Sequence, residues 1–208
     1  MRIERIEKSK HKQERVLVFL EGGDLLRITG AELLRFGLYK GMDLSPALVV
    51  ELQAAAQQSQ LKQTAARMAS GRMLSKKEVQ RRLTKKGATE EQAADTADWL
   101  ETLGAVDDEG YAGVIVRHYG AMGYGPGRVK QELHRRGVPR ELWEDALEEL
   151  PEAAEQIDRF LSSKLRGRDP DPREKKRLTD ALMRRGYGWG DVKAGWSRYG
   201  AEVSDDEP

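Results

Sequence analysis

The sequence predicts a mainly α protein: a tandem array of three three-helix repeats, elongated and curved, preceded by a small N-terminal module with strands in a β-hairpin. Two observations predict it. One pattern of residue classes recurs three times and closes on Gly87, Gly137 and Gly186, 50 and 49 residues apart. Four residues before each glycine stands Leu83, Leu133 or Leu182, and eight before it Val79, Val129 or Leu178, while basic doublets (Lys85-Lys86, Arg135-Arg136, Arg184-Arg185) directly precede it. The second observation is compositional. With 38% hydrophobic, 34% charged and 6% aromatic residues in 208, the chain has much surface for its mass, as an extended array does.

Taken in order, residues 1–55 read as the accessory module. Ile3 and Ile6, the run from Arg15 and the run from Asp24 suggest two or three short strands, with Gly22-Gly23 as a two-residue turn. Residues 8–15 form a basic, mobile turn. Thr29 and Glu32 make a capping box for a short helix over 31–36 that Gly37 closes, and Ser45-Pro46 opens a longer helix that runs or breaks into repeat one near residues 57–61.

The repeats span 56–109, 110–152 and 153–203, and residues 204–208 are an acidic tail. In each repeat a first helix starts from Leu61, Tyr111 or Phe160. The second carries the recurring pattern: its leucines and valines share one face, and the glycine takes the left-handed conformation that ends a helix. The next side chain, Ala88, Val138 or Tyr187, should then pack on the leucine. Ser75 with Glu78 and Pro126 mark helix starts. The third helix is read from Ala93, Ala97 and Leu100, from Trp143, Leu147 and Leu150, and from Val192, Trp196 and Tyr199. Leu133 should pack on Val138 and on the helix bearing Trp143 and Leu147.

Charge segregates along this array although the net charge is only +1. Residues 62–86 hold nine basic and one acidic residue, 89–110 none and eight, 117–140 six and one, 141–158 none and eight, and 159–185 ten and four. Attraction between packed helices and the helix dipole account for part of this. They do not account for ten cations in one stretch. Stacked repeats superpose equivalent helices, so the basic second helices should form one continuous stripe: Arg81, Arg82, Lys85 and Lys86; Arg128, Lys130, Arg135 and Arg136; Lys175, Lys176, Arg177, Arg184 and Arg185.

Little else carries chemistry. Cysteine is absent, so disulfides and thiolate chemistry are excluded. His11, His118 and His134 lack metal-ligand spacing, so no metal or cofactor is expected. Gly120, Gly123, Gly125 and Gly127 lack the lysine of a phosphate loop and read as a flexible joint. Asp107-Asp108-Glu109 reads as a solvated turn, and Trp189 between two glycines as an exposed tryptophan. No nucleophile, base and orienter combination marks an enzyme. The longest apolar run, residues 16–20, is far too short to span a membrane, and no signal-peptide core is present, so a soluble cytoplasmic protein is expected.

The stretches SKKEVQRRLTKKG, WLETLGAVDDEGYAGVIVRHY, GPGRVKQELHRRGVPRELWEDALEEL and LTDALMRRGYGWGDVKAGW resemble the RecX family, regulators of the RecA recombinase. Together they cover about residues 61–199, and the Leu103-Gly104-x-x-Asp107-Asp108-x-x-Tyr111-Ala112 junction is the most characteristic piece. The third copy departs most, since Gly188 and Gly190 are expected to break the start of its last helix. The resemblance implies a modulator without catalytic activity that lies in the groove of the RecA filament on single-stranded DNA, blocks its growth or ATP-coupled function and promotes its disassembly; a monomer is expected. DNA repair, recombination and the SOS response are the implied setting. The competing expectation is a module that binds single-stranded or duplex DNA directly, with no obligatory protein partner.

Overall fold

A computed structural model describes residues 1–9 and 15–201 of the chain. His11, the inner part of the basic turn and the acidic tail lie outside the described residues. Strands β1 (Ile3–Lys8), β2 (Arg15–Leu20) and β3 (Leu25–Thr29) form an antiparallel sheet in that order. On β2, Val16, Val18 and Leu20 alternate into the core, and the register sets Val18 against Leu26 and Val16 against Ile28, so two apolar rows share one face. The turn needs both its glycines: Gly22 and Gly23 have φ of 107° and 91°.

The Thr29–Glu32 capping box starts α1 (Gly30–Arg35), with the Thr29 N–H donating to the Glu32 carboxylate at 2.6 Å. Ser45 accepts the Leu48 N–H and Pro46 occupies the first turn of α2 (Pro46–Gly71). Helix α2 runs 26 residues without a break, because nothing between its first proline and last glycine removes an N–H or loosens the backbone. It therefore crosses the expected boundary at residue 55. Its first half closes the sheet with Val49 and Leu52, and its second half, with Leu61 and Ala65 buried, packs along α4 (Glu90–Thr102).

The chain divides into two compact units: Met1–Arg72 with Val79–Ala105, and Met73–Glu78 with the chain from Val106 onward. Helix α3 (Lys76–Thr84) begins in the second unit and ends in the first. The second unit also holds α5 (Asp108–Ala121), α6 (Pro126–Arg136), a short 3-10 turn (Arg140–Leu142), α7 (Trp143–Leu147), α8 (Ala153–Leu165), α9 (Pro172–Arg184) and α10 (Trp189–Tyr199). The three-helix pattern is thus α5, α6 and α7 in repeat two and α8, α9 and α10 in repeat three.

The expected glycine endings are present in all three copies. Gly87, Gly137 and Gly186 have φ of 93°, 73° and 90°. The N–H groups of Ala88, Val138 and Tyr187 reach back to the carbonyls of Leu83, Leu133 and Leu182 at 3.2, 3.0 and 3.3 Å, and each glycine N–H donates to the carbonyl three residues earlier. Leu133 and Val138 are buried together, with Trp143 and Leu147 packed against them. Repeat two nevertheless ends in a shorter third helix than expected. Pro139 and Pro151 bracket the segment, so α7 stops at Leu147 and leaves Leu150 in a turn.

Repeat three corrects two expectations. Gly188 and Gly190 do not break α10: Gly188 is its extended N-cap and Gly190 lies within its first turn. Trp189 is half-buried against the core formed by Ile157, Leu161, Leu182 and Trp196. Trp196 is fully buried and its indole N–H donates to Thr179 Oγ1 at 2.9 Å.

Candidate functional site

Within the second unit, the close of α9 meets the start of α6, and the close of α6 meets the residues that open α3. At the close of α9, the carbonyls of Arg185 and Gly186 accept the N–H groups of Gly125 and Gly127 at 2.8 and 2.9 Å, satisfying donors that the first turn of α6 would leave orphaned. At the close of α6, the Arg136 carbonyl accepts the Ser75 hydroxyl at 2.5 Å, and Ser75 in turn accepts the Glu78 N–H at the start of α3. Gly125 and Ser75 hold the same place, twelve residues before their repeat's glycine. The same joint is therefore built twice, once with a backbone donor and once with a hydroxyl. Helix dipoles run in series across it, with a carbonyl end set against an N–H end.

Close approach of backbones explains the glycines. A Cβ on Gly186 would lie 2.1 Å from the Arg128 nitrogen, and one on Gly125 would lie 2.8 Å from the Gly186 carbonyl carbon. The stretch from Gly123 to Gly127 is therefore a docking surface for repeat three, while Gly120 packs on Leu150 and Pro151 of its own repeat, which corrects the expected role of these glycines as a flexible joint. The acidic turn is also corrected. Asp107 accepts the Gly110 N–H and caps α5, while Asp108, 8% exposed, accepts the Lys76 N–H at 2.8 Å and so caps α3.

These joints sort the basic doublets. Arg136 turns inward and donates to the Tyr111 hydroxyl at 2.7 Å, and Arg185 donates to the Met122 and Gly123 carbonyls at 3.2 and 3.0 Å while lying over the Tyr124 and Phe160 rings. Lys86, the equivalent residue of the first repeat, is exposed, and no repeat precedes it. The first member of each doublet faces solvent every time: Lys85, Arg135 and Arg184 are all exposed at the same register. Arg81, Lys130, Lys176 and Arg177 are exposed too, whereas Arg82, Arg128 and Lys175 are half-buried.

Position on the helix separates these residues further. On α6, Val129, Glu132 and Leu133 are buried, so Lys130 leaves along one edge of the exposed arc and Arg128 and Arg135 along the other. Arg177 and Arg184 take the places of Arg128 and Arg135 on α9. The arc carrying Arg128, Arg135, Arg177 and Arg184 is therefore the one with matching charge in repeats two and three.

Glu132 organises that arc in repeat two. Its side chain is 4% exposed and binds Arg135 through Nε and Nη2 at 2.9 and 2.5 Å, Arg128 at 3.2 Å and Arg136 at 3.8 Å. Burial pushes its carboxyl up, yet hydrogen bonds from Arg135 and Tyr119 and the charges of Arg135 and Arg128 outweigh that and hold it below the usual carboxylate range. One buried carboxylate thus fixes three arginines, of which Arg135 presents the most surface. Sequence reading passed over Glu132 as the single acid of a basic stretch. Its spacing of i−4, i+3 and i+4 to the three arginines was the available signal.

His118 and His134 lie edge-on to Tyr119 and Trp143. Among the described residues no group of three or more His, Asp or Glu side chains is placed to hold a metal, and no helix is long and apolar enough to cross a membrane.

Residues 107–147 match the family model for the second three-helix domain of RecX. The chain is similar to the regulatory protein RecX of Oceanobacillus iheyensis, with 30% identity over 89% of this chain and 72% of the relative. It is also similar to the regulatory protein RecX of Trichlorobacter lovleyi, with 34% identity over 59% of this chain and 84% of the relative. A crystal structure of a regulatory protein RecX superimposes with a TM-score of 0.74 at 22% identity, covering 94% of this chain and 98% of that one, a likeness of fold.

Proposed function

The chain belongs to the RecX family of regulatory proteins, and from that premise we propose that it binds the RecA filament on single-stranded DNA and restrains its recombinase and ATPase activity, without catalysing a reaction of its own. The observation that carries this reading is the exposed cation at one register of every repeat, Lys85, Arg135 and Arg184. A solvent-facing charge that recurs in every repeat, while its neighbour turns inward in repeats two and three, is surplus to the joint, and such recurring cations suit a partner that is itself periodic and anionic. Arg81, Arg128, Lys130, Lys176 and Arg177 belong to the same working faces, with Arg82 and Lys175 at their margins. Lys86 adds to them in the first repeat. Arg136 and Arg185 act indirectly, Arg136 by bracing repeat two through Tyr111 and Arg185 by tying repeat three to the carbonyls at the end of α5. In this reading the protein works as a cytoplasmic monomer in recombination, DNA repair and the SOS response.

The test is the single-stranded-DNA-dependent ATPase of RecA with and without this protein. The rate is expected to fall as the protein is added, and to recover with a Lys85→Ala, Arg184→Ala variant of unchanged thermal stability. An unchanged ATPase would overturn the proposal, and tight salt-dependent binding to naked DNA without preference for the filament would replace it with direct nucleic-acid recognition.

A further inference from the structure

The sheet, the start of α1 and the middle of α2 border an open cavity of about 540 Å³, within the range of about 300 to 1,000 Å³ typical of small-molecule sites. Val16, Gly30 and Ala31 give it an apolar side, and Ser59, Lys62 and Gln63 line it from one face of α2. Lys8 at the end of β1 and Arg15 at the start of β2 complete the wall.

Arg15 is the unusual member. It is 6% exposed, yet its guanidinium donates to the Arg27 carbonyl and to Gln63 Oε1 at 3.4 Å each, the long limit of a hydrogen bond, and no carboxylate pairs with it among the described residues. Buried cations are ordinarily paired, because desolvation without compensation is expensive. The carboxylate nearby in the fold, Glu32, is occupied by the Thr29 N–H and the Ser59 hydroxyl. The Lys62 ammonium lies 5.0 Å from the Trp99 ring centre, and Lys8 is exposed. Three cations therefore line one cavity, and among the described residues the carboxylate of Glu32 is already bound.

We propose that this cavity binds a phosphate monoester. The planar fork of Arg15 matches two phosphate oxygens, Lys8 and Lys62 add the positive charge that a dianion requires, and the side formed by Val16 and Ala31 receives the organic part. The site is separate from the exposed cations of the repeats, and its test needs no RecA.

The experiment is calorimetric titration of the full-length protein with deoxyadenosine 5′-monophosphate, inorganic phosphate and deoxyadenosine. A 5′-phosphorylated single-stranded oligonucleotide and its unphosphorylated form distinguish a DNA end from a free monoester as the source of the ligand. The monophosphate is expected to bind and deoxyadenosine not to. Arg15→Met should weaken binding by about tenfold or more without lowering the melting temperature of the unliganded protein, and Lys62→Gln should weaken it severalfold. The proposal is overturned if neither the monophosphate nor inorganic phosphate binds up to about 10 mM, if deoxyadenosine binds as well as the monophosphate, or if affinity is the same in Arg15→Met and Lys62→Gln. A destabilised Arg15→Met protein with unaltered affinity would also overturn it, by making Arg15 a purely structural residue.

Discussion

Glu132 shows how one side chain can serve both packing and presentation. Its carboxylate lies under α6 and restrains three arginines, so Arg135 is held in position before any partner arrives. Its folded-state pKa lies below the ordinary carboxylate value, so its contribution to stability is whole above about pH 4.3 and is lost as the pH falls through the folded value. Glu132→Gln should therefore cost about 1 to 3 kcal/mol at pH 7, and the gap to wild type should narrow progressively as the pH is lowered past the ordinary carboxylate value. Urea unfolding across that pH range checks this; a gap that persists in acid would mean that the carboxylate's charge is not what matters. Glycine supplies a second comparison at this scale. Gly87 and Gly186 both have φ near 90°, but a Cβ on Gly87 meets nothing within 4 Å whereas one on Gly186 strikes the Arg128 backbone. Gly87→Ala should cost about 1 to 3 kcal/mol for the left-handed backbone alone. Gly186→Ala should cost more, and equal losses in thermal unfolding would argue against the joint.

At the scale of elements, α2 and the end-to-end joints decide how the chain is divided. Capping residues announced where helices start, since Thr29, Ser45 and Ser75 all cap as their spacing suggests. They said nothing about whether a helix would stop near residue 57, because an alanine- and glutamine-rich stretch is compatible with continuation and with a break. Continuity gives α2 two packing partners, the sheet through Val49 and Leu52 and α4 through its second half. A fragment of residues 56–208 keeps the second half and its contact with α4. It is expected to retain a cooperative thermal transition by circular dichroism, while losing the sheet and the phosphate cavity together. A broad, non-cooperative melt would place the sheet within the cooperative core of the helices.

For the whole molecule, the sorting of cations is what connects structure to regulation. Arg136 and Arg185 are engaged by Tyr111 and by the carbonyl end of α5, whereas Lys85, Arg135 and Arg184 face water. Neutralising Arg136 or Arg185 should lower the melting temperature. Replacing Lys85, Arg135 and Arg184 together by alanine should lower stability only through the loss of Arg135's hydrogen bonds to Glu132, weaken binding to the RecA filament at least severalfold, and flatten its salt dependence because fewer ions are displaced on docking. Filament affinity at two salt concentrations and a denaturation curve for each variant separate the two groups. Equal filament binding by the triple variant and wild type would remove these faces from the mechanism.

The sequence by itself determined the repeat, the helix endings and the register of the basic residues, because these depend on local chemistry: a glycine that tolerates positive φ, apolar residues at helical spacing, and caps within reach of the next turn. Tertiary structure decided which basic residues reach the surface. Arg135 and Arg136 are adjacent and chemically identical, and no local rule distinguishes them. What separates them is that neighbouring side chains on a helix point about 100° apart, so one reaches the Tyr111 hydroxyl across the repeat while the other stays at the surface. The same holds for Asp108, which reads as a solvated turn until the start of α3, 32 residues earlier, brings it the Lys76 N–H. Contacts between residues so far apart in the chain leave no periodic trace in the sequence, because they are set by how whole helices dock.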